Sequence, residues 1–213
     1  MRTRSWLLAF LSCGVLVTLA VLFADQRVAL QMNRSFYNTG IFRSNFVVFS
    51  CIEAGGIALF VIALALVALR GRRLTGWMLQ LVSATAAGIA ALIVAELLKM
   101  ALGRTPVYPT FLVDHVSALR PLHPGNFPSG TTASVTATMT VAWANWPSGR
   151  LVWGSVGILT PIMILMTNSH WLSDVIAGAF LGWVFGIIVP GIILRRLPQP
   201  AGLGGTAPRT RAG

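Results

Sequence analysis

Asn168-Ser169-His170-Trp171-Leu172-Ser173-Asp174-Val175-Ile176-Ala177-Gly178 opens the last long apolar run of the chain. His170 and Asp174 are four residues apart, so on a helix they share one face. A carboxylate placed there can hydrogen-bond one imidazole nitrogen and leave the other free to attack. Beyond them Gly178, Gly182 and Gly186 recur at every fourth position. Such a small-residue stripe lets one membrane helix approach another closely. A reactive polar pair at the head of an apolar, glycine-striped helix points to chemistry at the rim of a membrane-embedded helical bundle.

The rest of the chain fits that setting. Of its 213 residues, 55% are hydrophobic and only 10% charged, and the mean hydropathy is +0.77. A soluble domain of this size has too little interior for so much apolar surface, which makes the bilayer the solvent. Six apolar segments, at approximately 5–24, 45–69, 77–98, 129–146, 151–167 and 172–194, are long enough to cross roughly 30 Å of hydrocarbon. The expected fold is all-α: a polytopic membrane protein of six transmembrane helices forming one domain over residues 1–196. The Pro-, Gly- and Thr-rich tail at 197–213 is expected to be disordered and cytoplasmic. The basic start Met1-Arg2-Thr3-Arg4 resembles a signal peptide, but the apolar run after it is long and no clear small-x-small cleavage site follows. It reads as a retained helix. Trp6, Trp77, Trp146, Trp153 and Trp171 fall near span ends, as an aromatic belt does.

The net charge of +11 would suggest nucleic acid in a soluble protein. Its distribution points to the membrane instead. With six alternating spans, Arg2, Arg4, Arg70, Arg72, Arg73, Arg150, Arg195, Arg196, Arg209 and Arg211 lie on one side, and Arg27, Arg34, Arg43, Lys99, Arg104 and Arg120 on the other. The richer side is cytoplasmic by the positive-inside rule. Both termini are therefore expected inside, in an integral plasma (inner) membrane protein, and the polar islands outside, facing the periplasm or exterior. Residues 25–44 are expected to form the first outer loop, with Phe36, Tyr37, Ile41 and Phe42 on the membrane surface. Cys13 and Cys51 fall within spans and read as small packing residues. No carboxylate or histidine cluster calls for a metal, and no cofactor motif is present.

Three polar islands fall at one expected depth: Lys99-Met100-Ala101-Leu102-Gly103-Arg104 at the end of the third span, Phe127-Pro128-Ser129-Gly130-Thr131-Thr132-Ala133 at the start of the fourth, and His170 to Asp174 at the start of the sixth. Phosphoryl transfer needs positive charge and fixed donors around three equatorial oxygens, with a nucleophile in line. Lysine, arginine, a helix start and a histidine supply those elements. Each island also has a structural reading. Ser129, Thr131 and Thr132 make an ordinary capped helix start, Lys99 can snorkel to the interface or pair with Glu96 three residues earlier, and His170 with Asp174 can be a boundary pair. The glycine stripe reads as packing.

In order and spacing the three islands resemble the type 2 phosphatidic acid phosphatase superfamily, over roughly residues 45–194. That resemblance implies His170 as a nucleophile forming phosphohistidine and Asp174 as the group that orients it. It implies Lys99 and Arg104 as the clamp on the phosphate oxygens, with Ser129, Gly130 and Thr131 completing the phosphate site at a helix N-terminus. A phosphorylated membrane lipid is the implied substrate, and no metal is implied. The chain departs from the family pattern at two places. Thr131 stands where the family has the histidine that protonates the leaving oxygen, and Ile164 stands where it has an arginine. Counting from Lys99 to the family's Arg-Pro pair reaches Pro106 in place of the arginine. His123 and Arg120, in the loop before the fourth span, are candidate replacements. A lipid diphosphate, whose leaving group is already a stable anion, is the substrate least affected by Thr131. Two functions remain in view: a lipid phosphatase, or a non-catalytic lipid-phosphate-binding relative. A transporter lacks its usual internal repeat.

Overall fold

Small residues decide how this chain packs. The computed structural model describes residues 3–36, 41–70, 76–112 and 125–196. Over these residues the helices are α1 (Thr3–Leu19), α2 (Asp25–Phe36), α3 (Ile41–Arg70), α4 (Gly76–Leu102), α5 (Gly130–Asn145), α6 (Arg150–Met166) and α7 (Leu172–Arg196). A π-helical segment, Ala20–Ala24, joins α1 to α2 without a break. Among the described residues four helical stretches are long and apolar enough to cross a membrane: Thr3–Phe36, Gly76–Leu102, Pro147–Met166 and Leu172–Ile193. The remaining two expected spans fall on α5 and α3. α5 has 16 residues, and α3 has 30.

The centre is built from α4, α5 and α7. Ala84, Ala87, Ala91 and Ala95 of α4 meet Ala133, Ala137 and Val141 of α5, with Leu181, Phe185 and Val189 of α7 packed against them. Lipid tails are as apolar as leucine, so close packing rather than hydrophobic expulsion holds such helices together. The glycine stripe serves this packing. A Cβ on Gly178 would lie 2.5 Å from the Ser129 carbonyl oxygen, and one on Gly182 would lie 2.3 Å from that of Ala133. α1 lies outside this core along α7, through Trp6 on Trp183 and Phe10 on Phe180, with ring centroids 5.5 and 5.0 Å apart. Its Leu7, Leu8, Leu11, Val15 and Leu16 are exposed, as a lipid-facing surface requires.

The first outer segment differs from the expected loop. Residues Asp25–Phe36 are helical and continue α1. Asp25 and Ala29, one turn apart, are both buried. The polar composition ended the apolar run, but a buried face at helical spacing remained within it. Ile41 and Phe42 belong to α3. Tyr37 lies outside the described residues, as do the expected tail at 197–213 and the candidate residues Arg120 and His123.

Candidate active site

α4 ends where Gly103 takes a φ of +55°, and its N–H still donates to the Lys99 carbonyl at 2.9 Å. A left-handed residue is a common way to stop a helix, and glycine enters that region without steric cost. The turn sends Arg104 into the bundle. Its carbonyl accepts from the Asn126 N–H at 2.8 Å, while the Asn126 side-chain amide donates to the Ser169 carbonyl at 2.7 Å. One asparagine thus ties the end of α4 to the turn before His170. That turn contains Asn168 at a φ of +50°, a conformation asparagine adopts more readily than most residues.

A side chain from its own first turn caps the head of α7. Asp174 Oδ2 accepts from the Trp171 N–H at 3.1 Å, and the Val175 N–H donates to the Trp171 carbonyl at 3.2 Å. The first is one half of a capping box, with aspartate in the reaching position, and the second is the first i→i−4 bond of the helix. The same Oδ2 lies 3.3 Å from His170 Nδ1. The His170 side chain is 12% exposed and that of Asp174 is fully buried, so the imidazole is reachable and its partner is not. The second oxygen, Oδ1, accepts from Arg104 Nη1 at 2.8 Å.

Arg104 is the centre of the buried network. Nη1 also donates to Ser173 Oγ, and Nη2 donates to Asp25 Oδ2 at 2.6 Å. The guanidinium lies over the Trp171 ring, 4.9 Å from its centroid, a distance at which cation–π attraction operates. Trp171 is fixed in turn by its Nε1–H, which donates to the Thr105 carbonyl at 2.9 Å, and by Phe111 against its ring. Asp25 is 2% exposed. Its carboxylate also accepts from the Ser173 N–H at 2.9 Å and the Ser173 hydroxyl at 2.6 Å.

The expected site residues therefore fall into two adjoining groups. His170, Asp174 and Arg104 form one, joined by Asp25. Lys99 and Gly130 form the other: Lys99 Nζ donates to Glu96 Oε1 at 2.7 Å, and a Cβ on Gly130 would lie 3.3 Å from Nζ and 2.6 Å from that carboxylate oxygen. Ser129 links them. Its N–H donates to the Asp174 carbonyl at 3.0 Å, and its side chain caps α5 by accepting from the Thr132 N–H at 3.3 Å. Ser129 is fully buried. Thr131 is half-buried on the first turn of α5, and Ile164 is buried at 1%.

The two cations differ in what they can do. Arg104 is buried between two carboxylates, with both Nη nitrogens engaged. Among the described residues Lys99 is held by Glu96 alone, whose side chain is 52% exposed, and exposed ion pairs are weak enough for a doubly charged anion to displace. Asp25 is the residue that sequence reasoning missed. It is the single acidic residue before Glu53 and stands at the end of the first apolar run, where a charge near hydrocarbon is costly unless partnered. Glu53 is ionisable and also lies within an expected span, but its side chain is outside the described portion.

Comparison with known proteins bears on this arrangement. A sequence model of the PAP2 superfamily matches residues 76–198, the part of the chain that carries Lys99, Arg104, Ser129, His170 and Asp174. No curated protein matches in sequence. Among solved structures, the chain is similar to that of a transmembrane PAP2 type phosphatidylglycerolphosphate phosphatase from Bacillus subtilis. The TM-score is 0.56 and the identity 18%, over 89% of this chain and 96% of that one. At that identity the likeness concerns the fold.

Proposed function

The chain belongs to the PAP2 superfamily, and from that premise we propose that it is an integral-membrane lipid phosphatase working through a phosphohistidine at His170. The observation that carries the proposal is the division of the Asp174 carboxylate: one oxygen faces His170 Nδ1 at 3.3 Å and the other is held by Arg104 at 2.8 Å. With Nδ1 carrying the proton toward Asp174, Nε2 keeps its lone pair. Nε2 attacks phosphorus, the bond to the leaving oxygen breaks, and that oxygen departs with the electron pair. Water then attacks the phosphohistidine, the N–P bond breaks, and inorganic phosphate is released.

In this reading Lys99 and the first amides of α5 hold the phosphate, since a helix N-terminus and a displaceable ammonium both favour an anion. Arg104 acts one step back, on Asp174. The substrate class follows from Thr131. A hydroxyl is too weak an acid to protonate an alkoxide, whereas a lipid diphosphate loses a lipid monophosphate that needs no proton to leave. A polyprenyl or similar lipid diphosphate is therefore the preferred substrate. The charge distribution supports six crossings with both termini in the cytoplasm and the site facing outward.

The test is phosphate release by the detergent-purified chain from long-chain lipid diphosphates, lipid monophosphates and phosphatidate, with His170→Ala alongside. Release that favours diphosphates and disappears in His170→Ala is expected. Thr131, the buried Ile164 and the engaged Arg104 favour a second reading, a lipid-phosphate-binding protein without turnover. Binding of lipid diphosphate that survives His170→Ala, with no release by either form, would establish that one instead.

A further inference from the structure

We infer that Asp25, on a helix outside the part of the chain that defines the family, is a positioning residue for the His170–Asp174 pair. The inference deepens the phosphatase reading and rests on it for its catalytic consequence. Its geometric part stands alone.

Four side chains form one continuous path. Asp25 Oδ2 holds Arg104 Nη2 at 2.6 Å, Arg104 Nη1 holds Asp174 Oδ1 at 2.8 Å, and Asp174 Oδ2 faces His170 Nδ1 at 3.3 Å. Asp25, Asp174 and Arg104 are each less than a tenth exposed, so water does not compete for these bonds. Asp25 also binds the head of α7 directly. Its Oδ1 accepts from the Ser173 N–H at 2.9 Å, one of the first helical amides and so without a partner inside its own helix. A carboxylate at that end is also favoured by the helix dipole.

Charge gives Asp25 a second task. At formal charges, Arg104 and Asp174 alone would form a neutral pair, with the guanidinium drawing the carboxylate away from the imidazole. A second carboxylate on the far side of Arg104 shares that pull and leaves the cluster one net negative charge. That charge favours an imidazole whose Nδ1 proton points at Asp174 and whose Nε2 is free. Asp25 does not touch the nucleophile and acts through two intermediaries. α2 is fixed over this site by a further contact: in the orientation that satisfies its amide, Asn168 donates to the Ala29 carbonyl and accepts from the Asn33 N–H, both at 3.2 Å.

The experiment is nitrogen NMR of the full chain in detergent, with ring-labelled histidine and His170 assigned by His170→Gln, combined with steady-state kinetics on a lipid diphosphate. The wild type should show His170 protonated at Nδ1. Asp25→Asn should lose that single tautomer. It should also lower kcat about tenfold or more with KM changed less than about twofold, as loss of a histidine's supporting partner does elsewhere. Asp25→Glu, which keeps the charge on a longer arm, should recover part of both and serves as the test if Asp25→Asn does not fold. An unchanged tautomer together with an unchanged kcat in these variants overturns the inference. If the wild type releases no phosphate, the phosphatase reading fails, and the His170 spectrum alone decides the role of Asp25.

Discussion

Asp25 and Arg104 meet at 2.6 Å across 79 residues of chain. Their contact joins the start of α2 to the turn that ends α4, and through Asp174 it reaches the head of α7. A bridge of this kind costs free energy to desolvate, so its presence is weak grounds for claiming added stability. Its value is orientation: with both carboxylates engaged, the Asp174 side chain has one position, and so does the face it offers His170.

The first prediction concerns that bridge. Arg104→Met leaves two buried carboxylates without their cation, and breaking a buried pair from one side costs about 3–5 kcal/mol. Adding Asp25→Asn removes one of the stranded charges. The double variant should unfold at a higher temperature than Arg104→Met alone, measured by thermal unfolding in detergent. Losses that simply add would show that the two side chains do not depend on each other.

The second prediction concerns the α5–α7 contact. Gly182 faces the Ala133 carbonyl so closely that a Cβ would lie 2.3 Å away, and backbone cannot yield as a flexible side chain can. Gly182→Ala should destabilise by about 1–3 kcal/mol, the usual range for overpacking. Gly191→Ala, on the same helix with nothing within 4 Å, is the control. Equal unfolding midpoints for the two variants would mean that the helices part readily here.

What could be read from sequence follows from how local each feature is. His170 and Asp174 are one helical turn apart, and Gly178, Gly182 and Gly186 follow the same period, so both patterns lie within a single helix. The pairing of Lys99 with Glu96 is equally local. Asp25 was hidden because its partners Arg104 and Ser173 are brought to it only by the packing of separate helices. Composition also gives a lysine and an arginine the same sign. It does not say that Arg104 is enclosed by carboxylates while Lys99 is held by one exposed glutamate. Asp25–Phe36 was expected as a loop because its polar residues interrupt an apolar run, and the Asp25–Ala29 spacing was too short to stand out as a buried face.

The third prediction separates the two cations. Lys99→Met removes the proposed charge-assisted bond to phosphate and should raise KM about tenfold or more, since such bonds contribute about 1.5–3 kcal/mol. Glu96→Gln frees Lys99 from its competitor. An exposed pair contributes about 0.2–1 kcal/mol, so KM should fall by about 1.4- to 5-fold, with kcat nearly constant. A rise in KM for Glu96→Gln would show that Glu96 instead supports substrate binding.

The last prediction addresses the position on the first turn of α5 where the family's acid is replaced. Thr131 follows Gly130, which lies against Lys99 and Glu96, so a side chain there stands beside the proposed phosphate site. Thr131→His would supply a group able to protonate a leaving oxygen, and general-acid catalysis is worth about 10²–10⁴ in rate when well placed. The benefit depends on the leaving group. An alkoxide leaving from a lipid monophosphate gains much from a proton, whereas a phosphate leaving from a lipid diphosphate gains little. Thr131→His should therefore raise kcat/KM for monophosphates by up to about 10²-fold and change that for diphosphates far less, narrowing the preference between them. The ratio of the two specificity constants, measured in one detergent with both substrates, is the quantity to follow. Should it stay constant while both rates rise or fall together, protonation of the leaving group is not what distinguishes the substrates, and the threonine would have to act through the shape of the phosphate site.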